Sequence, residues 1–187
     1  AGVVTAGAGQ AGATLRTGYA ALERLARAVS AVLQQHGVGE GHTVATLAWN
    51  TQAHVEAWYG IMGIGAVCHT LNPRLMAEQL ASMIVQSGAR LLVCDAGLLP
   101  LGRQIAELAP GLAHIFVIDE AAPLAPGPAE RPMVSSLAAL LAQPPAALPV
   151  WGAFPETAPS GLCFTSGTTG APKGVTYTHR SSFLHTL

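Results

Sequence analysis

Residues 161–175, GLCFTSGTTGAPKGV, place a short apolar stretch directly before a turn rich in glycine, serine and threonine. The apolar part predicts a buried strand, and the glycines allow the following turn to adopt positive φ angles and to approach a bulky group closely. Successive backbone N–H groups in such a turn point into one concavity, which suits phosphate oxygens. The stretch therefore predicts a strand that leads directly into an anion-binding loop.

The side chains of this loop supply hydroxyls and one positive charge. Lys173 is the only lysine in a chain with eight arginines, which favours a flexible point charge at this position. A Walker phosphate loop fits poorly, because that motif requires Ser or Thr after the lysine and Gly174 follows here. Composition alone leaves a solvated turn between two strands as the alternative. The hydroxyls that can donate to phosphate or ligate Mg²⁺ belong to Thr165, Ser166, Thr168 and Thr169.

Strand-like and helix-like segments alternate upstream of the loop. Apolar residues recur at helical spacing in 19–37 and 76–88, and helices are also predicted over 51–63 and around 101–109. This βαβαβα order predicts an α/β fold, a doubly wound and largely parallel sheet with flanking helices. The predicted strands between the helices cover residues 43–49, 66–71, 90–95 and 114–120.

Residues 121–160 differ in composition, since they hold nine of the thirteen prolines. We interpret this region as a Pro/Ala-rich surface tether with one short helix over 133–142, and not as a separate domain. The chain then divides into an α/β layer over 1–120, the tether over 121–160, and a final part over 161–187. That part comprises a strand, the loop, a second strand and the start of a helix.

Composition excludes several classes of function. The net charge of −1 gives no support for nucleic-acid binding, and no apolar run is long enough for a transmembrane segment. Half of the residues are hydrophobic and only 10% are charged, so part of the surface is expected to be covered. The three cysteines, Cys68, Cys94 and Cys163, are predicted to be buried free thiols, which favours a cytoplasmic protein.

Residues 164–175, FTSGTTGAPKGV, resemble the signature phosphate-binding loop of the adenylate-forming (AMP-binding) superfamily. Residues 18–29 (GYAALERLARAV) and 63–75 (GIGAVCHTLNPRL) are similar to upstream segments of the same superfamily. Together with residues 45–51 and 178–187, they look most like bacterial fatty acyl-CoA ligases for medium or long chains. The resemblance covers essentially the whole chain, but only the N-terminal part of such an enzyme.

The resemblance implies an ATP-dependent acid–thiol ligase that uses ATP, Mg²⁺ and CoA. Such an enzyme joins a carboxylic acid to the α-phosphate of ATP and then transfers the acyl group to the CoA thiol. Lys173 would be catalytic, and Thr165 would assist Mg²⁺, with Thr168 as the second choice. His179 would lie near the acyl or nucleotide pocket, or would simply be a surface residue that begins a helix. The residues implied to hold the β- and γ-phosphates are Thr165, Ser166, Gly167, Thr168, Thr169, Gly170 and Lys173.

Other residues have structural interpretations. His69 is expected to form a hydrogen bond within the core, and Asn72 to cap a turn or helix. Trp49 is expected to be a packing residue, and Asn50 or Thr51 to cap the helix over 51–63.

The family's adenine, ribose and acidic Mg²⁺ contacts are implied to lie after residue 187, as does its adenylation lysine. The 187-residue chain alone is therefore predicted to be inactive without the C-terminal remainder of the enzyme. The alternatives are an aryl-CoA ligase, a peptide-synthetase adenylation domain, or a non-catalytic nucleotide-binding or assembly module. A homodimer is compatible with each of them.

Overall fold

The computed structural model describes residues 2–6, 14–118, 132–143, 145, 147–165 and 172–187. Strands and helices alternate along most of this length, as the sequence predicts. The strands are β1 (Gly2–Ala6), β2 (Thr14–Gly18), β3 (Thr43–Leu47), β4 (Val67–Thr70), β5 (Leu91–Asp95), β6 (His114–Ile118), β7 (Met133–Ser136), β8 (Pro159–Thr165) and β9 (Lys173–Thr178). The α-helices are α1 (Tyr19–Gln35), α2 (Gln52–Gly63), α3 (Ala77–Ser87), α4 (Leu99–Leu108), α5 (Leu137–Leu141) and α6 (His179–Thr186).

Within the described residues, seven strands form one sheet in the order β7-β6-β5-β3-β4-β8-β9. Every neighbouring pair from β7 to β8 is parallel, and only β9 runs antiparallel, against β8. β1 and β2 form a separate antiparallel pair near the N-terminus. The carboxyl ends of the parallel strands therefore meet at one edge, where ligands bind in open α/β sheets.

Helices cover both faces of this sheet. Alternate strand residues separate the two sides: Val44 in β3 belongs to one apolar cluster, and its neighbour Ala45 belongs to the other. The first cluster contains residues of α1, α2 and α5, and the second contains residues of α3 and α4. The predicted doubly wound, largely parallel α/β fold is confirmed.

Helices α1 and α2 approach each other closely because residue 60, in α2, is a glycine. The hydroxyl of Ser30 in α1 donates to the backbone carbonyl of Gly60 in α2 over 2.6 Å. A Cβ atom at Gly60 would lie 2.8 Å from the carbonyl oxygen of Ala26 and 3.0 Å from the side chain of Val29. Only glycine allows the two helices to cross at this distance.

The region predicted as a tether contains a strand of the sheet. We expected a helix over 133–142, whereas Met133–Ser136 is β7, paired with β6, and only Leu137–Leu141 is helical. Hydrogen bonding to the neighbouring strand β6 determines the conformation of these four residues at the edge of the sheet, and a local helical pattern does not reveal it. Residues 121–131 lie outside the described part of the chain.

Trp151 attaches the later part of this region to α1 and α2. Its indole N–H donates to the hydroxyl of Ser30 over 2.9 Å, and the Arg27 guanidinium lies 4.6 Å from its ring centroid. A Cβ atom at Gly63 would fall within 2.5 Å of the indole. Arg27 also donates to the backbone carbonyl of Pro149 over 2.9 Å. The segment that precedes β8 is therefore held against the helical layer.

Two further expectations from the sequence are wrong. Cys68 and Cys94 are buried free thiols as predicted, but Cys163 is exposed, because it lies on β8 near the sheet edge. Trp49 is 47% exposed, so its side chain is not a core packing residue. Within the described residues, no helix is both long and apolar enough to cross a bilayer.

Candidate functional site

The hairpin of β8 and β9 carries the two ends of the predicted phosphate loop. Thr165, the last residue of β8, pairs directly with Lys173, the first residue of β9. Residues that pair across antiparallel strands project from the same face, with Cβ atoms about 5 Å apart. The hydroxyl and the ammonium group therefore flank the entrance to the loop on one side of the sheet.

The predicted phosphate-binding residues between the two strands lie outside the described part of the chain: Ser166, Gly167, Thr168, Thr169 and Gly170. Their roles remain predictions from the sequence.

The environment of Lys173 suits a polyanion. Both Thr165 and Lys173 are exposed, and no carboxylate of the described residues forms an ion pair with Lys173. An accessible ammonium group without a competing carboxylate can approach phosphate oxygens. Thr165 also ends a parallel strand at the carboxyl edge of the sheet, beside the end of β4, where the Thr70 hydroxyl lies 3.6 Å from the Cys163 sulfur. These residues fit a nucleotide phosphate site.

Thr165 is the residue expected to assist Mg²⁺, and its hydroxyl oxygen is a suitable ligand type for a hard cation. Within the described residues, no group of three or more His, Cys, Asp or Glu side chains is placed to hold a metal ion.

The opposite face of the same hairpin is packed against the protein. Phe164 precedes Thr165 and therefore projects to the face covered by α3 and α4, where it contacts the second apolar cluster. Its ring centroid lies 5.1 Å from that of His69 on β4, and Gly174 is its partner across the hairpin. Phe164 has no role among the site residues predicted from the sequence, and the sequence indicates it only as one of the larger apolar side chains, with Leu162, that alternate with the smaller Gly161, Cys163 and Thr165.

His69 forms a hydrogen bond within the core, as predicted. It is completely buried, and its Nδ1 lies 3.1 Å from the hydroxyl of Ser87 at the end of α3. Burial lowers the pKa of His69 from 6.5 to about 4, so the imidazole is neutral near pH 7. Asn72 caps a turn as expected, since its side-chain oxygen accepts from the backbone N–H of Arg74 over 3.0 Å. Thr51, and not Asn50, caps α2.

His179 lies at the other end of the hairpin from the loop. It is the first residue of α6, and β9 separates it from Lys173 by six residue steps, or about 20 Å. Its imidazole packs on Phe154 with ring centroids 4.6 Å apart, and burial lowers its pKa. Thr178 caps this helix through the backbone N–H of Ser181. The structure thus groups Thr165 with Lys173, and it does not bring His179 to them.

A small cavity lies at the same carboxyl edge as Thr165. Its volume is about 330 Å³, and it combines apolar side chains such as Val55 and Trp58 with the polar residues Asn50 and Thr70. His54 beside it is fixed through both ring nitrogens, by the carbonyl of Trp49 at 3.1 Å and the hydroxyl of Thr46 at 3.0 Å. Burial lowers the pKa of His54.

A larger cavity of about 760 Å³ opens at the amino edge of the sheet. It is lined by residues such as His36, Arg90 and His114. Because parallel strands begin at this edge, the cavity is far from Thr165 and Lys173. We therefore do not assign it to the candidate site.

The amino-acid sequence of this chain is similar to that of known enzymes. A family model described as "AMP-binding enzyme" matches residues 6–187. A long-chain-fatty-acid–CoA ligase from Thermus thermophilus is 40% identical over 172 residues, which cover 92% of this chain and 30% of the relative. A 3-methylmercaptopropionyl-CoA ligase from Ruegeria lacuscaerulensis is 36% identical over 181 residues, with 94% and 32% covered.

The fold is also similar to that of solved structures. The anthranilate CoA ligase AuaEII, in complex with anthranoyl-AMP, superposes with a TM-score of 0.77 at 27% identity. That match covers 89% of this chain and 30% of the ligase. The chain spans about a third of the length of the curated relatives that it matches.

Proposed function

The chain belongs to the family of AMP-binding enzymes, and from this premise we propose that it forms the phosphate-binding part of an AMP-forming acyl-CoA ligase. In this proposal, the complete enzyme activates a fatty acid with ATP and Mg²⁺ and then forms the CoA thioester. The observation that supports it best is the pairing of Thr165 with Lys173 on one face of the sheet, at the two ends of the family's loop.

The chemistry proposed for the first step places a polyanion against these residues. A carboxylate oxygen forms a bond to the α-phosphorus of ATP while the bond to the bridging α–β oxygen breaks, and pyrophosphate leaves. Negative charge accumulates on the leaving group, so a fixed cation and hydroxyl donors at the β- and γ-phosphates lower the barrier. Lys173 supplies the charge, while Thr165 supplies a donor and a candidate ligand for Mg²⁺.

The second step makes a different demand on the protein. The CoA thiol attacks the acyl carbonyl, its proton passes to a base, and AMP leaves. Pyrophosphate has already departed, so the proposed contacts of Lys173 stabilise charge only in the first step. Substitution of Lys173 should consequently separate the two half-reactions.

A fatty acid is proposed as the substrate because the relatives at 36–40% identity are a long-chain-fatty-acid–CoA ligase and a 3-methylmercaptopropionyl-CoA ligase. An aryl acid is the alternative that the anthranilate ligase represents. A panel of fatty and aryl acids, assayed by pyrophosphate release with the complete enzyme, distinguishes the two. Faster turnover of an aryl acid would contradict the fatty-acid assignment.

In the complete enzyme, Lys173→Ala should impair the first step selectively. We expect adenylation, measured by ATP–pyrophosphate exchange, to slow by about 100-fold or more, because removal of one stabilising group from a developing charge has effects of this size. Thioester formation from preformed acyl-adenylate should change little. Arg180→Ala is the matched control, since Arg180 is an exposed cation at the distant end of the hairpin, paired with Glu156 at 3.1 Å.

Equal loss in both half-reactions would indicate a folding role for Lys173 and would contradict the proposal. Absence of exchange in the original protein, together with magnesium–ATP binding that Lys173→Ala leaves unchanged, would favour a non-catalytic module instead.

The 187-residue chain itself is proposed to lack ligase activity. It spans about a third of its relatives, and the proposed contacts here concern only the β- and γ-phosphates. Pyrophosphate exchange with a fatty acid on the isolated chain should remain at the level of a blank. Robust exchange would show that these residues suffice.

A further inference from the structure

Phe164 lies between two strands directly below the loop entrance. A Cβ atom at Gly174 would lie 3.1 Å from the side chain of Leu162 and 3.4 Å from the ring of Phe164. The ring therefore occupies the space that a side chain at Gly174 would need. On its other side lies the imidazole of His69, with ring centroids 5.1 Å apart. His69, Phe164 and Gly174 form a row across β4, β8 and β9.

The helix α3 fixes the orientation of His69. The hydroxyl hydrogen of Ser87 is donated to the carbonyl of Ile84 over 3.0 Å, so the Ser87 oxygen acts as acceptor toward His69. His69 must then carry its proton on Nδ1, which donates to Ser87 over 3.1 Å. Its Nε2 is an acceptor without a hydrogen-bond partner among the described residues. The contact with Phe164 is thus made by a neutral ring of defined orientation.

Without His69, Phe164 would have room to move. A cavity of about 370 Å³ opens next to the hairpin and is lined by Ser87, Phe164 and Gly174, among others. An aromatic ring that loses a packing partner beside such a space can adopt another rotamer, because the surrounding atoms no longer enclose it. Movement of Phe164 would shift the adjoining residue Thr165 relative to Lys173.

We propose that His69 is a positioning residue for the phosphate loop, which acts by holding Phe164 over Gly174 and thereby fixes Thr165 opposite Lys173. This inference rests on the proposed function of the loop. It assigns His69 no contact with the nucleotide. The imidazole ring carries the effect, and the hydrogen bond to Ser87 serves to orient that ring.

The chain contains a closely matched control. His114 on β6 is also buried, its Nε2 lies 2.9 Å from the hydroxyl of Ser135, and its ring lies 4.4 Å from that of Phe116. It therefore has the same kind of hydroxyl partner and aromatic neighbour as His69. His114 begins its strand, so it lies at the amino edge of the sheet, away from the loop.

The test compares His69→Ala with His114→Ala in the complete enzyme. We expect His69→Ala to raise the KM for magnesium–ATP and lower the exchange rate, with a combined loss in kcat/KM of about 10- to 100-fold, as small displacements of binding groups can cause. Thioester formation from preformed acyl-adenylate should stay near the original rate. His114→Ala should leave the KM for magnesium–ATP unchanged, although both variants lose stability.

Two further variants keep the test informative if His69→Ala does not fold. His69→Phe retains a ring and removes the unpaired acceptor, so we expect it to restore most of the exchange activity. Ser87→Ala frees the orientation of His69 and should raise the KM for magnesium–ATP by a smaller factor, whereas Ser135→Ala should not.

The outcomes separate the two levels of the proposal. Similar losses in the His69 and His114 variants, in both half-reactions, would overturn the positioning role, as would failure of His69→Phe to recover activity. Lys173→Ala is assayed alongside. Normal adenylation in that variant contradicts the proposed function itself, whereas a defect there with unaffected His69 and Ser87 variants overturns only the present inference.

Discussion

Gly60 shows how a single side-chain atom determines the approach of two helices. The carbonyl oxygen of Ala26 in α1 lies 2.8 Å from the position that a Cβ atom at Gly60 would take. The hydrogen bond from Ser30 to the Gly60 carbonyl depends on the same close approach. Since the obstacle is backbone, it cannot rotate away, and any side chain at this position must separate the helices.

We therefore expect Gly60→Ala to lower the free energy of unfolding by about 1–3 kcal/mol, which is typical of overpacking. Alanine favours a helix more than glycine does, so a destabilised variant would isolate the steric effect. Gly111→Ala is the control, because nothing lies within 4 Å of a Cβ atom there. Urea unfolding of the chain measures both, and a Gly60→Ala variant as stable as the original would show that α1 and α2 can move apart freely.

At the scale of elements, the sequence predicts the strands and helices that depend on local patterns. The apolar stripe of α1, the cap at Thr51, and the buried runs of β3 and β5 all lie where the pattern placed them. β7 was missed because its pairing with β6 is a long-range contact, next to a segment whose composition favours a helix.

The candidate site divides in the same way. The loop and its flanking residues Thr165 and Lys173 are recognisable because glycines and hydroxyls repeat within a few positions. The row of His69, Phe164 and Gly174 cannot be recognised from the sequence, because it depends on the register between β4 and β8, which are distant along the chain. His179 follows the loop closely along the chain, yet an extended strand carries it away from Lys173.

Trp151 holds the segment before β8 against α1 and α2, and removal of its side chain should loosen that segment. Trp151→Ala loses the bond to Ser30, the contact with Arg27 and the packing on Gly63. We expect the free energy of unfolding to fall by about 2–4 kcal/mol, since truncation of large aromatic side chains has effects of this order. Limited proteolysis should also cut residues 147–158 faster. Trp49→Ala is the matched control, because its side chain is 47% exposed. Equal cleavage in both variants would argue against an anchoring role.

The stability of the whole molecule should depend on pH through its buried histidines. Burial lowers the pKa of His69 and of His114 from 6.5 to about 4, and for His114 the neighbouring His36 adds to this effect. Between these values the unfolded chain binds more protons than the folded chain, so the free energy of unfolding rises with pH. The stabilisation is fully present above about pH 6.5 and is lost as the pH falls toward about 4.

Urea midpoints measured from about pH 7 down to about pH 4.5 should therefore decrease, and the slope should be shallower in His69→Phe, which cannot take up a proton. His42→Phe provides the comparison, since His42 is exposed. If the slope for His69→Phe matches that of the original chain, then His69 titrates normally in the folded state.

Lys173 carries the only ε-amine in the sequence, and that amine is exposed. Within these 187 residues, reagents that acylate amines at mildly alkaline pH consequently have one internal target, at the mouth of the loop. A fluorophore or an isotopically labelled acetyl group attached there would report on this position alone, and protection by ATP or pyrophosphate could be followed by mass spectrometry. The unusual preference of the chain for arginine thus makes its candidate site chemically addressable without any engineering.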